Sequence, residues 1–216
     1  MIDLRTVLGT ALLMLALTLS TWAQDGLYGP TESDDAMVRV VHAVEDSSLL
    51  PVDLGATSFG RVGFGDVTPY RPVFPGMFVL RAEGREFSFN PKSGSYYSLV
   101  YGPEGFLLIE DEIHDDPARA QVALYNLTEF DFLRLEAFSR NNPDQRTAVV
   151  AAVPAGGADL RVLNPAPVSF AVVADGNDLA AFESIPLSRG GSVSVLVMGS
   201  SEAVHVVIAE ASVAFD

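Results

Sequence analysis

Four short runs between Met77 and Glu112 decide the fold: "MFVLRA" (77–82), "REFSFN" (85–90), "SYYSLVY" (95–101) and "FLLIEDE" (106–112). Each is rich in Val, Phe, Tyr or Leu. Each is cut off by turn residues: Glu83-Gly84, then Asn90 to Gly94, then Gly102-Pro103-Glu104-Gly105. Phe87 and Phe89 fall on one face of an extended chain and Ser88 on the other, the period-two pattern of a strand with one buried face. The stretch reads as an antiparallel meander. The same vocabulary fills the rest of the chain after its first residues, and helical periodicity is nearly absent. The expected class is all-β.

Outward from this stretch the pattern repeats. The acidic, Pro-broken segment Glu110 to Pro117, "EDEIHDDP", marks a boundary, and the strand pattern restarts beyond it. "VRVVHA" (38–43) answers "VALYNL" (122–127). "FPG" (74–76) answers "VPAGG" (153–157), and "SGSYYSLVYG" (93–102) answers "GGSVSVLVMG" (190–199). We read two tandem small Ig-like antiparallel β-sandwich domains, residues 36–112 and 119–216, joined by a linker at 113–118.

The N-terminus reads as an export signal. Arg5 gives a positive start, Val7 to Leu19 is an unbroken apolar run, and Thr21-Trp22-Ala23 has the small residues of a cleavage site. Residues 1–23 are the expected signal peptide, with cleavage after Ala23 and a periplasmic destination. The run is shorter than the roughly 20 residues that span a bilayer. No cysteine follows it to carry a lipid, and the chain has none at all. Thiol catalysis, zinc-thiolate sites and disulfides are therefore excluded. Net charge is -15. Cleavage would remove one acid, Asp3, and one base, Arg5, and leave that value unchanged. Such a field repels nucleic acid, anionic lipid and polyanionic polysaccharide.

Catalytic patterns are missing. No Gly-x-Ser-x-Gly occurs, and Gly65-Asp66 is followed by Val67 rather than Ser. His42 and His205 lie in strand runs and His114 in the acidic linker, without metal-ligand spacing. They read as half-exposed strand or loop residues. Asp175-Gly176-Asn177-Asp178 lacks the later ligands of a calcium loop and reads as a hairpin turn. "GRVGFGD" (60–66) opens no helix and so makes no phosphate cradle. Of Tyr96, Tyr97 and Tyr101, the first faces one side of its strand and the other two the opposite side, one of these sides being core. The expectation is no catalytic residue, no cofactor and no metal.

Leu27-Tyr28-Gly29-Pro30, in the N-terminal segment 24–35, adds specificity. "LYGP" shortly after the signal, with "VRVVHA", "YYSLVYGPEG" (96–105), "ALYNLT" (123–128) and "PLSRGGSVSVLVMG" (186–199), resembles the AlgF family of alginate biosynthesis proteins. The first domain also resembles exported sandwich domains of the DUF4397 type, through "VRVVHA" and "GDVTPYRPVFPG" (65–76). The AlgF resemblance implies two β-sandwiches without catalysis of their own. It implies an adaptor in alginate O-acetylation, beside periplasmic SGNH-type acetyltransferases and a membrane acyl-transfer protein. Leu27, Tyr28, Gly29 and Pro30 are then candidate partner-binding residues, or a tuck that covers a sheet edge of the first sandwich. Two other readings stay open: a generic exported surface or matrix module, and an acetyl-handling enzyme.

Overall fold

The computed structural model describes residues 34–82, 84–112 and 114–214. The signal peptide, its cleavage site and Leu27 to Pro30 lie outside the described residues. The described chain forms sixteen strands and no helix. The first eight are β1 (Ala36–His42), β2 (Leu50–Leu54), β3 (Thr57–Val62), β4 (Arg71–Val73), β5 (Phe78–Ala82), β6 (Arg85–Phe89), β7 (Tyr96–Gly102) and β8 (Gly105–Asp111). The next are β9 (Ala120–Leu127), β10 (Phe132–Ser139), β11 (Asn142–Pro154) and β12 (Gly157–Leu163). The last are β13 (Pro167–Ala174), β14 (Asn177–Pro186), β15 (Ser192–Gly199) and β16 (Val204–Glu210).

One sheet has the order β4-β1-β7-β8 and another β12-β9-β15-β16. Adding eight to each label converts the first into the second. The central pairs run parallel in both, β1 with β7 and β9 with β15, within otherwise antiparallel sheets. Facing layers differ between the halves. In the second half β11-β10-β13-β14 is one continuous sheet. In the first, β2-β3 and β5-β6 are separate hairpins. The expected meander is thus broken between β6 and β7, which belong to different layers. The long turn Asn90 to Ser95 gives the chain room to cross.

Each half has its own inner core. Val38, Val40, Val52, Phe59, Tyr97 and Leu99 close the first, and Val122, Leu124, Leu135, Phe170, Val172 and Val195 the second. The outer faces of the β4-β1-β7-β8 and β12-β9-β15-β16 sheets also pack on each other. Val41, Val100, Tyr125, Leu196 and Met198 fill that contact. A strand between two cores needs apolar residues on both faces, so β1, β7, β9 and β15 are buried almost end to end. The expectation that only one face of β7 is core gives way for this reason: Tyr97 enters the inner core while Tyr96 packs with Met37, Tyr70 and Ala211. The C-terminal tail adds a backbone tie, since Tyr70 N–H donates to Ser212 O and Ala214 N–H to Tyr70 O.

Register refines the repeat. Val38 lies opposite Tyr97 and Val122 opposite Val193, so Ser98 corresponds to Ser194. The Gly-anchored alignment of the two sequence motifs is one residue off. "FPG" leads into β5 whereas "VPAGG" leads into β12, the counterpart of β4, so these two turns do not correspond. Asp175 and Gly176, at φ 50 and 78, form the tight β13–β14 hairpin turn.

Candidate functional site

Two features lie where the halves meet. The first is a largely buried polar cluster on the face shared by the two sheets. Arg39 of β1 is 1% exposed. Its Nε donates to Ser98 Oγ at 2.8 Å and its Nη2 to Ser194 Oγ at 3.1 Å, so the equivalent serines of the two halves hold one guanidinium. The guanidinium also lies 4.9 Å from the Tyr70 ring centroid and 5.1 Å from that of Tyr125. Asp111, at the end of β8, gathers the remaining donors. Tyr125 OH donates to Oδ1 at 2.7 Å, while Ser98 Oγ and Tyr70 OH donate to Oδ2 at 2.7 and 2.8 Å. Burial, ahead of the Asp111 charge, holds the Tyr125 phenol well above its ordinary pKa.

This arrangement is a latch. Ser98 Oγ donates to a carboxylate and accepts from an arginine, and Ser98 is fully buried. A nucleophilic serine needs a base and access to substrate. Ser98, itself fully buried, donates its hydroxyl hydrogen to the half-buried Asp111 carboxylate. Arg39 and Asp111 have no counterpart in the second half, where Ala123 and Ala211 stand at the equivalent places by register. The sequence signal for it was present: a single arginine inside "VRVVHA", a strand whose other residues are apolar apart from His42, has to find partners in the interior.

The second feature is an open cleft of about 690 Å³ at the end of the same contact. Ala43, Val100, Leu107 and Leu127 supply apolar walls, and Glu45, Glu104 and Glu129 supply three carboxylates. The segments that follow β1 and β9 contribute equivalently: Ala43-Val44-Glu45 from one half, Leu127-Thr128-Glu129 from the other. Both are braced alike by a buried polar side chain at the strand end. Val44 N–H donates to His42 Nδ1 at 3.3 Å, and Thr128 N–H donates to Asn126 Oδ1 at 3.2 Å. His42 Nε2, the other ring nitrogen, sits 2.9 Å from Ser47 Oγ. The Ser201 side chain and backbone N–H both bond Glu129 and hold its carboxyl below the usual range. Glycines at turns keep the walls low; Gly199, at φ 94, has no room for a Cβ, which would sit 2.2 Å from Ala203 O.

The structure separates the three histidines. His42 is fully buried rather than half-exposed, because β1 is central. His114 is 7% exposed rather than solvated with its acidic neighbours, and its Nε2 has no hydrogen-bond partner among the described residues. His205 is exposed on β16, its ring 5.2 Å from that of Phe64. Among the described residues no group of three or more His, Asp or Glu is placed to hold a metal ion.

The open, mostly apolar cleft walled by acids thus lies beside the buried polar cluster. A family model described as alginate O-acetyl transferase AlgF matches residues 10–194. The alginate biosynthesis protein AlgF of Pseudomonas putida is 25% identical over 198 residues, covering 91% of this chain and 88% of that protein. The protein of the same name from Pseudomonas aeruginosa is 26% identical over 198 residues, with coverage of 90% and 88%. Among solved structures, the C-terminal domain of AlgF from P. aeruginosa aligns with 43% of this chain and 98% of its own length, at 25% identity and a TM-score of 0.36. With the family match running over most of its length, the chain belongs to the AlgF family.

Proposed function

We propose that this protein serves alginate biosynthesis as a non-catalytic accessory of O-acetylation. In this reading it is exported to the periplasm, carries two tandem sandwich domains, and holds the acetyltransferase machinery in place through the cleft between them. Membership in the AlgF family supports the pathway. The observation that carries the adaptor role is the cleft itself: clefts between packed units are favoured binding places, and this one is apolar and acidic. Alginate is a polyanion, and a chain of net charge -15 is repelled by it. The carboxylates of the cleft favour a protein partner with basic and apolar residues. Family membership also weighs against an unrelated surface module.

Deletion of the gene in its host, with polymer acetyl content read by NMR, tests the pathway. Loss of acetyl groups at unchanged polymer yield is the expected result, and normal acetylation would overturn it. Complementation with Glu45→Lys/Glu104→Lys tests the cleft. Both residues are exposed, so folding should survive while acetylation falls. Full acetylation by this variant would move docking elsewhere on the surface. Incubation of the purified protein with an acetyl donor, followed by intact-mass measurement, tests the enzymatic reading; a stable acetyl adduct would contradict the accessory role.

A further inference from the structure

The loop from β4 to β5 has a twin. Ala36 opens β1 and pairs with Val73, as Ala120 opens β9 and pairs with Leu163. Phe74-Pro75-Gly76-Met77 in the first half therefore answers Asn164-Pro165-Ala166-Pro167 in the second, with a proline at the second place of both. Each loop carries the chain from one layer of its sandwich to the other. The connection itself asks for no large apolar side chain, since Asn164 and Pro167 stand at these places in the second half. Yet Phe74 is 77% exposed and Met77 69%, with Val79 just beyond at 45%. Among the described residues only Leu49 and Phe132 are other large apolar side chains so open to solvent. Apolar surface gathered in this way marks a contact.

Charge narrows the partner. Residues 67–82 hold Arg71 and Arg81 and no acid, in a chain of net charge -15. Arg81 pairs with Glu86 and still keeps its side chain 73% exposed. An apolar loop flanked by arginines is matched by an apolar hollow walled by carboxylates. This chain holds such a hollow: the cleft of about 690 Å³, with Ala43, Val100 and Leu127 on its walls and Glu45, Glu104 and Glu129 among them. Its volume lies within the roughly 300–1,000 Å³ of clefts that enclose compact ligands.

Geometry decides whose cleft the loop can enter. The loop follows Val73, at the Ala36 end of β1. The cleft begins at Ala43, past the His42 end of the same strand. The seven residues of β1 set the two apart by about 20 Å. A four-residue loop tied at both ends to β4 and β5 cannot turn back across that distance. A contact between loop and cleft therefore joins two copies. Its two surfaces differ, so each copy keeps a free loop at one end and a free cleft at the other, and open chains form rather than closed dimers.

We propose that Phe74 and Met77 of one copy dock in the acid-walled cleft of a second copy, and that the protein assembles head to tail through this contact. The inference goes beyond the accessory reading and shares with it only the cleft, for which a second copy and an O-acetylation partner compete. A contact made by one loop is small, and small interfaces are weak and transient. Assembly is then set by concentration.

Sedimentation velocity of the purified chain beginning at Gln24, from low micromolar to near-millimolar concentration, tests this. The average mass of the native chain should rise with concentration. Phe74→Asn/Met77→Gln removes the loop contact and keeps the cleft, and Glu45→Lys/Glu104→Lys does the reverse. All four residues are exposed, so both variants should fold. Each alone should associate at least tenfold more weakly than the native chain. Mixed in equal amounts, the two variants should form one-to-one dimers and nothing longer, because only one intact loop and one intact cleft remain to meet. Self-association of the cleft variant at native strength would mean that the loops meet each other, and overturns the proposal. A native chain that stays monomeric throughout, or a mixture that stays monomeric while the native chain associates, overturns it as well. Binding of a monomeric native chain, but not of the loop variant, to vesicles of phosphatidylethanolamine and phosphatidylglycerol would overturn it by assigning the loop to lipid. Only the purified chain is read, so these outcomes are independent of polymer acetylation in the host.

Discussion

Replacing Asp111 by Asn should destabilise the protein far more than a half-buried surface carboxylate normally would. The carboxylate accepts three hydroxyl donors, from Tyr125 at 2.7 Å, Ser98 at 2.7 Å and Tyr70 at 2.8 Å. Hydrogen bonds to a charged acceptor contribute about 1.5–3 kcal/mol each, against about 1 kcal/mol for neutral pairs. Three such bonds weaken together in the Asn variant. The same change weakens the tie of Ser98, the hydroxyl that accepts from the Arg39 guanidinium, 1% exposed. Summed over the three bonds, the loss of the charged acceptor costs about 3–5 kcal/mol. For a chain of this size that corresponds to a drop of roughly 6–20 °C in Tm. Urea denaturation and calorimetry would measure it. The diagnostic is the double variant Arg39→Met/Asp111→Asn, which removes both charges of the latch. It should be more stable than Asp111→Asn alone, with a coupling of at least about 1 kcal/mol. A Tm shift below about 3 °C for Asp111→Asn, or strictly additive single effects, would refute the latch.

Three further outcomes are expected. Gly199→Ala forces a Cβ to within 2.2 Å of the Ala203 carbonyl at a φ of 94, whereas Gly176→Ala at φ 78 meets nothing within 4 Å. The first should cost at least about 3 kcal/mol and the second about 1 kcal/mol by urea midpoint, and equal costs would contradict the close approach at Gly199. Leu196→Ala, fully buried on the face between the halves, should cost about 2–5 kcal/mol and still unfold in one calorimetric transition; two resolved transitions would mean that the halves are not coupled. Stability should also fall in alkali. The folded Tyr125 phenol is raised above its ordinary value of 10.0, so above about pH 10 the unfolded chain releases this proton first and binds fewer protons than the folded one. The contribution is complete below pH 10 and declines by about 1.4 kcal/mol per pH unit above it. Tyr125→Phe should flatten that slope in urea midpoints taken between about pH 9 and 12, and an unchanged slope would count against the buried phenol.

The all-β class was legible because alternation and turn residues are local signals. "REFSFN" and the Asp175-Gly176 turn state their geometry in a few residues. The order of the layers was not legible, because it depends on which strand β7 chooses. Tyr96 to Gly102 sits between two glycine turns and reads equally well as the next strand of a meander or as the partner of β1. The contact between the halves left a clearer trace. "VRVVHA", "SYYSLVY", "VALYNL" and "SVSVLVMG" lack a polar face, and a strand without one is covered on both sides. The sites were harder. Arg39 stands alone in its strand, but its serine partners Ser98 and Ser194 lie 59 and 155 residues away and are fixed only by register. Glu45 and Glu129 look like any other acids in a chain that has 28 of them.

Duplication explains why the cleft falls where it does. Two copies of one sheet packed outer face to outer face bring the segments after β1 and β9 to the same end of the contact. Each copy had to satisfy the last polar position of its opening strand. His42 does so with Val44 N–H and Ser47, and Asn126 does so with Thr128 N–H and the carbonyls of Phe130 and Val153. These braces set the path of the two segments, and with it the width of the cleft. His42→Asn would transplant the brace of the second copy into the first. Asn can still accept from Val44 N–H but is too short to reach Ser47, so the segment from Val44 to Leu49 should loosen while β1 stays paired. Hydrogen exchange in Val44 to Leu49 should accelerate, with β1 amides unchanged. If partner binding uses the cleft, this single change should weaken it without altering either sheet. If binding is retained while that segment exchanges faster, the shape of the cleft is not what the partner reads.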